Sequence, residues 1–187
     1  MLLPAGVRID GDSGSVTPST GSYAKRLGDL AGLYRDKAAF EALVANGDPL
    51  AYEVIDYRWK DSDLAFGTTV MAPGKVGDEY FMTRGHFHER RECGETYYTQ
   101  SGEGILLLQS RDGETRTVEM KPGICAFIPP DWAHRSINTG TNKLVFVWHC
   151  ATDAGHEYGE ILEKGMRKLV VERDGRPEVI DNPNFMR

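Results

Sequence analysis

Hydrophobic and polar positions change their period near residue 50 of this chain. Over residues 34–47, apolar side chains recur three and four residues apart, with Asp36 near the start and Asn46 before the final glycine. This spacing predicts one amphipathic helix, whose apolar stripe packs against the rest of the domain. From Ala51 onward, apolar positions alternate with polar ones, which is the period of a β-strand.

Alternating segments continue almost to the end of the chain and are separated by turns rich in Gly, Pro and Asp. The predicted strands are residues 52–59, 64–71, 79–84, 95–100, 104–109, 115–120, 124–128, 143–149, 169–172 and 178–181. Short strands at this spacing are typical of an antiparallel β-barrel or jelly roll. In such a barrel, the alternation directs one set of side chains into the interior.

The chain shows no internal repeat and no second domain, so we predict a single domain over residues 1–187. It divides into an N-terminal arm and helix (1–50), a barrel core (51–165) and a C-terminal edge segment (166–187) whose strands are suited to dimer contacts. Residues 11–21 are rich in Gly, Ser and Thr. They predict an irregular arm that lies over the domain without a function of its own.

Composition narrows the choice of partners and compartment. With 187 residues, 40% of them hydrophobic, the chain can bury a substantial core. The net charge is −6 and the basic residues are scattered, so we expect neither nucleic acid nor a membrane surface as partner. No apolar run approaches a membrane span, and the first residues lack the basic region and length of a signal peptide. Three cysteines without CxxC spacing indicate reduced thiols. We therefore expect a cytoplasmic location.

Three of the five histidines fall within about fifty residues of strand-like sequence: His86, His88 and His134. The first two are one residue apart, and side chains two positions apart on a strand point to the same face. Their imidazoles can therefore share one metal ion, with His134 approaching at the end of a later apolar run. A nearby carboxylate would complete a set of three nitrogens and one oxygen. This set suits an octahedral first-row metal with open positions for substrate.

The carboxylate is chosen among Glu89, Glu92 and Glu95. Glu95 is favoured because it begins the predicted strand 95–100, which ends in a glycine-containing hairpin signal and can return beside the histidine strand. Glu92 lies in a charged turn, where a solvated side chain is the simpler interpretation.

These residues resemble the two cupin motifs: His86-x-His88, Glu95 and Gly102 in the first, then Gly123, Pro129, His134 and Asn138 in the second. The usual cupin spacing would select Glu92, and the second motif usually has glycine where this chain has Asp131. One subfamily, the archaeal-type phosphoglucose isomerases, shares both departures. Its signature is similar to residues 85–88, 91–97, 129–135 and 153–159 of this chain.

The resemblance implies an isomerase that interconverts glucose 6-phosphate and fructose 6-phosphate and acts as a homodimer. The implied cofactor is a divalent metal, Fe²⁺ first, with Mn²⁺, Zn²⁺ or Ni²⁺ as alternatives. The implied metal ligands are His86, His88, Glu95 and His134, and Glu95 and His134 are also the implied catalytic residues. The implied phosphate and sugar contacts are Thr69, Thr83, Gly85, Tyr97, His156 and Tyr158.

Alternatives remain open at this stage. A cis-enediol route needs a base and a stabilised enediolate oxygen. The sequence leaves a metal-assisted hydride shift open as the competing mechanism. The same ligand set would serve a mannose-6-phosphate-type isomerase, an epimerase, an Fe(II) dioxygenase or a sugar-binding protein without turnover. Residues 153–159 favour the phosphosugar isomerase, because a generic dioxygenase has no use for that block.

The residues before the 153–159 block and the arginines near the histidines bear on the substrate contacts. Some relatives carry tyrosine and proline before the 153–159 block, where this chain has His149-Cys150-Ala151. Either fewer groups hold the phosphate, or His149 substitutes, or the substrate preference has changed; we interpret His149 as an ordinary histidine at a strand end. The arginines of the region are predicted to balance local acids rather than bind phosphate: Arg84, Arg90, Arg91 and Arg135. For Arg135, which follows His134, both roles stay open.

Overall fold

Antiparallel strands form most of the molecule in this computed structural model, which describes residues 3–59 and 61–185. The ends of the predicted domain, 1–2 and 186–187, and Lys60 lie outside the described residues. The strands are β1 (Arg8–Ile9), β2 (Val16–Thr17), β3 (Gly21–Arg26), β4 (Leu50–Tyr57), β5 (Leu64–Met71), β6 (Lys75–Val76), β7 (Glu79–Tyr80), β8 (Glu95–Ser101), β9 (Gly104–Ser110), β10 (Thr115–Met120), β11 (Cys125–Ile128), β12 (Trp132–Asn138), β13 (Leu144–Ala151), β14 (Lys168–Arg173) and β15 (Arg176–Asp181). The helices are a 3₁₀ helix (Leu27–Leu30), α1 (Lys37–Ala45) and α2 (Gly159–Lys164).

The largest sheet has six strands in the order β11-β8-β13-β5-β4-β3, and every neighbouring pair is antiparallel. A second sheet has the order β10-β9-β12, and a third has the order β15-β14-β7-β6. The chain after β7 runs beside β12 through the bridges Met82–Ile137 and His86–His134, so it widens the second sheet. The predicted mainly β, cupin-type barrel is therefore confirmed.

Alternation along the strands places the core between the sheets. On β8, Glu95, Tyr97 and Thr99 are buried, whereas Tyr98 between them is exposed. The inward side chains join one continuous apolar cluster that includes Phe87, Leu106, Ile128, Ile137 and Phe146. Burial of these large side chains supplies the main favourable free energy of folding.

The strands of the structure differ from the predicted ones in bounds and in number, most clearly near the site and at β3. The predicted strand 79–84 forms a ladder only over Glu79–Tyr80, because the chain then leaves β6 and β14 to join β12. His134 does not end an apolar run but is the third residue of β12, which the sequence analysis did not identify. Gly21–Arg26 is also a strand, since its backbone pairs with β4 despite the absence of an alternating apolar pattern.

The N-terminal residues lie over the large sheet, as predicted for residues 11–21, but the arm is not wholly irregular, since Val16–Thr17 pairs with β1. Thr68 donates a hydrogen bond to the carbonyl of Gly14, and Ser101 donates to that of Gly11. Gly14 has a φ of 73°, and a side chain there would meet Val70 at 2.2 Å. Only glycine therefore allows this close approach of the arm to β5.

The predicted helix is confirmed with shorter bounds. Asp36 is the N-cap of α1 and accepts a hydrogen bond from the backbone of Ala39 at 2.9 Å, and Asn46 is the C-cap. Phe40 and Leu43 pack against the core cluster. No described helix is long and apolar enough to cross a membrane.

Asp131 occupies the position where the cupin motif usually has glycine, and it has a φ of 64°. Aspartate tolerates this left-handed conformation better than most residues. Two arginines, Arg91 and Arg111, contact its carboxylate at 2.5 and 2.6 Å. They lower the pKa of Asp131 to about 2, Arg91 most strongly. The chain thus keeps the turn before β12 without a glycine.

Candidate metal centre and active site

Four predicted ligand residues converge between the sheets: His86, His88, Glu95 and His134. Each offers one ligand atom, and these atoms all lie within 4.8 Å of one another. The histidines come from β12 and the segment beside it, whereas Glu95 begins β8 in the facing sheet. The convergence is therefore a product of the barrel, not of any single strand.

Backbone carbonyls orient two of the imidazoles. Nδ1 of His88 lies 3.0 Å from the carbonyl oxygen of Cys93, and Nδ1 of His134 lies 3.2 Å from that of Trp132. A carbonyl only accepts, so each Nδ1 carries the proton and donates. Nε2 of His134 is left with a lone pair toward the cluster, and Nε2 of His88 faces Oε2 of Glu95 at 3.3 Å. A carbonyl acceptor at Nδ1 is the usual support for a metal-binding histidine.

The donor set fits a divalent metal ion. Nε2 of His86 and Nε2 of His134 are buried, and neither has a hydrogen-bond partner within residues 3–59 and 61–185. Nε2 of His134 is only 3.0 Å from Oε2 of Glu95, yet the two atoms are not aligned as a hydrogen bond. Such groups are costly to bury unless something binds them. Three imidazole nitrogens and one carboxylate oxygen suit a first-row divalent ion.

Charge in the cluster is tightly coupled. Burial alone would raise the pKa of Glu95, but the close approach of His134 and His88 outweighs it and lowers that pKa to about 2. Burial lowers the pKa of His86 well below its usual value, and the neighbouring histidines add to this effect. The cluster thus combines an ionised carboxylate with a neutral imidazole at His86, the forms that bind metal.

A loop of the predicted 153–159 block is fixed to the metal-binding segment. The backbones of Phe87 and Glu157 exchange two hydrogen bonds, of 3.0 and 2.8 Å. This pairing brings the ring of His156 to 4.3 Å from that of His86, measured between centroids, and stacks His156 on Tyr158. The loop therefore forms one wall of the site.

A cavity of about 260 Å³ opens onto the cluster. The four ligand residues line it, and so do the six residues predicted to contact phosphate and sugar: Thr69, Thr83, Gly85, Tyr97, His156 and Tyr158. Their side chains or backbones share one space with the ligands, although their roles as substrate contacts stay predictions. Thr83 accepts a hydrogen bond from the backbone of Ser136 at 3.0 Å, so its own hydroxyl proton is free to donate.

Sequence reasoning missed several residues that line this cavity, among them Tyr52, Arg58, Arg84 and Trp148. For Tyr52, the alternation of β4 gives one signal, because it predicts an inward-facing side chain at this position. Trp148 lies two residues before Cys150 on β13 and so on the same face. No local pattern marks the two arginines as cavity residues.

The prediction that four arginines balance local acids is correct for two of them. Arg90 pairs with Asp153 and Arg91 with Asp131. Arg84 instead donates to the carbonyl of Asp29 and lies 5.3 Å from the ring of Tyr158.

Arg135, the fourth of these arginines, is also not placed against an acid. It is buried and donates to the carbonyl of Arg84 at 2.6 and 3.2 Å. Its guanidinium therefore holds the segment that leads into Gly85 and His86.

His149 does not line the cavity. It is exposed on the outer face of β13, where its ring lies 5.9 Å from that of Phe66. The interpretation of His149 as an ordinary histidine at a strand end is supported, and His149 does not replace a substrate contact at Cys150, which itself lines the cavity.

The fold and the ligand cluster define a metal-binding β-barrel protein of the cupin type. Residues 24–185 match the family described as glucose-6-phosphate isomerase (GPI). The glucose-6-phosphate isomerase of Thermococcus litoralis is 45% identical over 97% of this chain and 96% of its own, and that of Pyrococcus horikoshii is 44% identical over 97% of both. The chain therefore belongs to the glucose-6-phosphate isomerase family, which confirms the resemblance.

Two further similarities extend the comparison. A putative glucose-6-phosphate isomerase 1 of Rhizobium meliloti is 44% identical over 99% of this chain and 89% of its own. Among solved structures, the oxalate decarboxylase from Bacillus subtilis at pH 4.6 matches with a TM-score of 0.47 and 22% identity, over 57% of this chain and 26% of that chain.

Proposed function

We propose that this protein is a metal-dependent glucose-6-phosphate isomerase that interconverts glucose 6-phosphate and fructose 6-phosphate. One observation carries the proposal: the buried cluster of three histidines and Glu95 opens onto a cavity lined by hydroxyl, amide and imidazole groups suited to a phosphosugar. The relatives at 44–45% identity bear the same name.

We assign the ligand role to His86, His88, Glu95 and His134, with Fe²⁺ as the proposed ion and Mn²⁺, Zn²⁺ or Ni²⁺ as alternatives. A divalent ion there would supply Lewis acidity toward oxygens on adjacent carbons of the sugar. The nitrogen-rich set with one carboxylate supports a transition metal over Mg²⁺ or Ca²⁺.

The protein's own groups supply binding and proton transfer. Glu95 and His134 are the proposed catalytic residues, because both lie at the buried end of the cavity and Glu95 is the carboxylate among the clustered residues. A carboxylate there can take a proton from one carbon and return it to the next, the step an enediol route requires. The phenol of Tyr97 stays protonated, since burial raises its pKa well above the usual value, so it can donate to a substrate oxygen.

The phosphate needs local donors because the protein is acidic overall. Thr83 and Gly85 flank Arg84 in the chain, and the guanidinium of Arg84 lies against Tyr158; all four residues line the cavity. Hydroxyl and backbone N–H groups near a cation can hold a dianion without a basic surface. We propose the side with these four residues as the phosphate end, with Thr69, Tyr97 and His156 toward the sugar.

The test is isomerisation of fructose 6-phosphate after chelator treatment and return of Fe²⁺, Mn²⁺, Zn²⁺, Ni²⁺ or no metal. Metal-restored turnover is the expected result. Tight metal binding without turnover on glucose, fructose or mannose 6-phosphate would refute the proposal and favour another cupin activity.

Assembly and location are further parts of the proposal. The edge strand β15 pairs only with β14 within the described chain and exposes Val179, which supports a homodimer through the C-terminal segment. Light scattering coupled to size exclusion would test it, with the mass of one chain as the contrary result. Three cysteines that form no disulfide in the described structure support a reducing compartment, and hence the cytoplasm.

A further inference from the structure

The indole of Trp148 is a buried hydrogen-bond donor at the wall of the cavity. The residue is only 6% exposed and lines the same space as the metal ligands. Its Nε1–H finds no acceptor in the described part of the protein. An indole nitrogen can only donate, and a buried donor without an acceptor lowers stability, so a function is expected to compensate.

The structure holds the indole from both sides. Gly67 faces Trp148 across the β5–β13 ladder, and a Cβ at Gly67 would lie 2.6 Å from the indole. Arg58, the residue after β4, places its guanidinium carbon 5.6 Å from the ring centre. The same guanidinium donates to the carbonyl of Thr152 at 2.9 Å, which anchors it. The absence of a side chain at Gly67 and the cation–π contact over the ring face therefore hold the indole in one position at the cavity wall.

The register of β13 locates this donor relative to the metal ligands. Cys150 pairs with Glu95 on β8, and Trp148 pairs with Tyr97, the next inward residue. Trp148 is thus one inward position away from the metal cluster along the barrel wall. Arg84, on the proposed phosphate side, lies against Tyr158, which lines the same cavity. The Trp148 side chain therefore shares one space with the metal ligands and with the proposed phosphate side.

We propose that Trp148 Nε1–H donates a hydrogen bond to a hydroxyl oxygen of the substrate, between the carbons that react and the phosphate. This inference rests on the proposed phosphosugar isomerase function and deepens it by naming a specificity residue. Trp148 lies on the same strand face as Cys150, whose thiol cannot replace the phenol found there in some relatives. The indole supplies a polar donor from the neighbouring position instead.

The first test replaces Trp148 with Phe, which keeps an aromatic ring and removes the N–H. We expect kcat/KM for fructose 6-phosphate to fall about tenfold, the usual size for one hydrogen bond to a substrate, mainly through KM. Metal content and inhibition by inorganic phosphate should not change. Trp59→Phe, at an exposed indole that does not line the cavity, is the matched control. An unchanged kcat/KM, or an equal loss in phosphate inhibition, would overturn the assignment to a hydroxyl.

Substrate analogues give the reciprocal test. Three analogues of open-chain fructose 6-phosphate are tested, lacking the 3-, the 4- or the 5-hydroxyl. One of them should be about tenfold poorer than fructose 6-phosphate for the wild type but no poorer for Trp148→Phe, because the variant has already lost the same hydrogen bond. Losses that multiply for all three analogues would contradict the proposal.

A spectroscopic test needs neither turnover nor a variant at position 148. The protein has three tryptophans, so spectra of Trp59→Phe and Trp132→Phe assign the Trp148 indole resonance by exclusion. On the metal-loaded wild type, sorbitol 6-phosphate should shift this ¹⁵N–¹H resonance and inorganic phosphate should not. No shift with sorbitol 6-phosphate, or a shift with both, overturns the inference. If turnover is absent but the resonance shifts as expected, the isomerase proposal is refuted and the role of Trp148 in binding is kept.

Discussion

Nε2 of His134 lies 3.0 Å from Oε2 of Glu95, although the two residues belong to different sheets of the barrel. His134 is on β12 of the three-stranded sheet, and Glu95 begins β8 of the six-stranded sheet. A metal ion bound by both would join the two sheets where they face each other. The metal should therefore stabilise the fold as well as support activity.

Removal of the metal should lower the thermal stability of the protein. A ligand present at one hundred times its dissociation constant stabilises the folded state by about 2.7 kcal/mol. For a chain of this size, this corresponds to a fall in Tm of roughly 5–10 °C after chelation. Calorimetry with and without chelator measures the shift. His134→Ala, which lacks a ligand, should show a much smaller response, and an equal response would contradict the assigned site.

His88→Ala and His134→Ala should each lose metal and activity together while the barrel still folds. Each imidazole contributes a nitrogen ligand and is held by a backbone carbonyl, so its removal opens the coordination set. Metal analysis measures the bound metal, an isomerase assay measures the activity, and circular dichroism measures the fold. His149→Ala removes an exposed imidazole outside the cavity and should change none of them. Full metal content in either ligand variant would refute the assignment.

Glu95→Gln should reduce activity much more than it reduces metal content. The amide keeps an oxygen for the metal but cannot accept a proton, so a base at this position should be worth about 10²–10⁴ in rate. Isomerisation in D₂O distinguishes the routes, because an enediol takes up solvent deuterium and a direct hydride shift does not. Equal losses of metal and activity, without deuterium uptake by the wild type, would indicate that Glu95 is a ligand only.

Gly85→Ala should weaken metal binding and destabilise the fold. Gly85 has a φ of 78°, and a Cβ there would lie 3.0 Å from Nε of Arg135 and 3.4 Å from the carbonyl of His134. Backbone strain contributes about 1–2 kcal/mol, and the crowding disturbs the turn into His86. Gly175→Ala is the matched control, since Gly175 has a φ of 73° with open space around it. In the control, denaturant unfolding should show a similar loss of stability, whereas metal titration should show an unchanged metal affinity.

Thr83→Val should raise KM for fructose 6-phosphate by about tenfold with little change in metal content. Valine keeps the shape but removes the hydroxyl that faces the cavity and accepts from Ser136. The loss corresponds to one hydrogen bond. Thr96→Val, on β8 but outside the cavity lining, should leave KM unchanged. A normal KM for Thr83→Val would exclude this hydroxyl from substrate binding.

Local sequence determined much of the framework. Alternation gave the bounds of β5 and β10 as the structure has them, residues 64–71 and 115–120, because strand period depends on neighbouring residues alone. The spacing of His86 and His88 placed both imidazoles on one side of the chain for the same reason. Asp36 marked the start of α1, since an N-cap needs only a short polar side chain and the next turn.

Tertiary structure decided what the local pattern could not. The polar residues of β3 form a strand because β4 offers a free edge, and the chain beyond Tyr80 leaves its ladder to pair with β12. The strand pattern favoured Glu95 as ligand and the family resemblance implied it, but its meeting with His134 depends on how two sheets pack across the core. The position of the Trp148 indole likewise depends on tertiary contacts, namely the space left by Gly67 and the guanidinium of Arg58. Alternation fixes which side chains share a face, whereas pairing and packing between distant residues fix which faces meet.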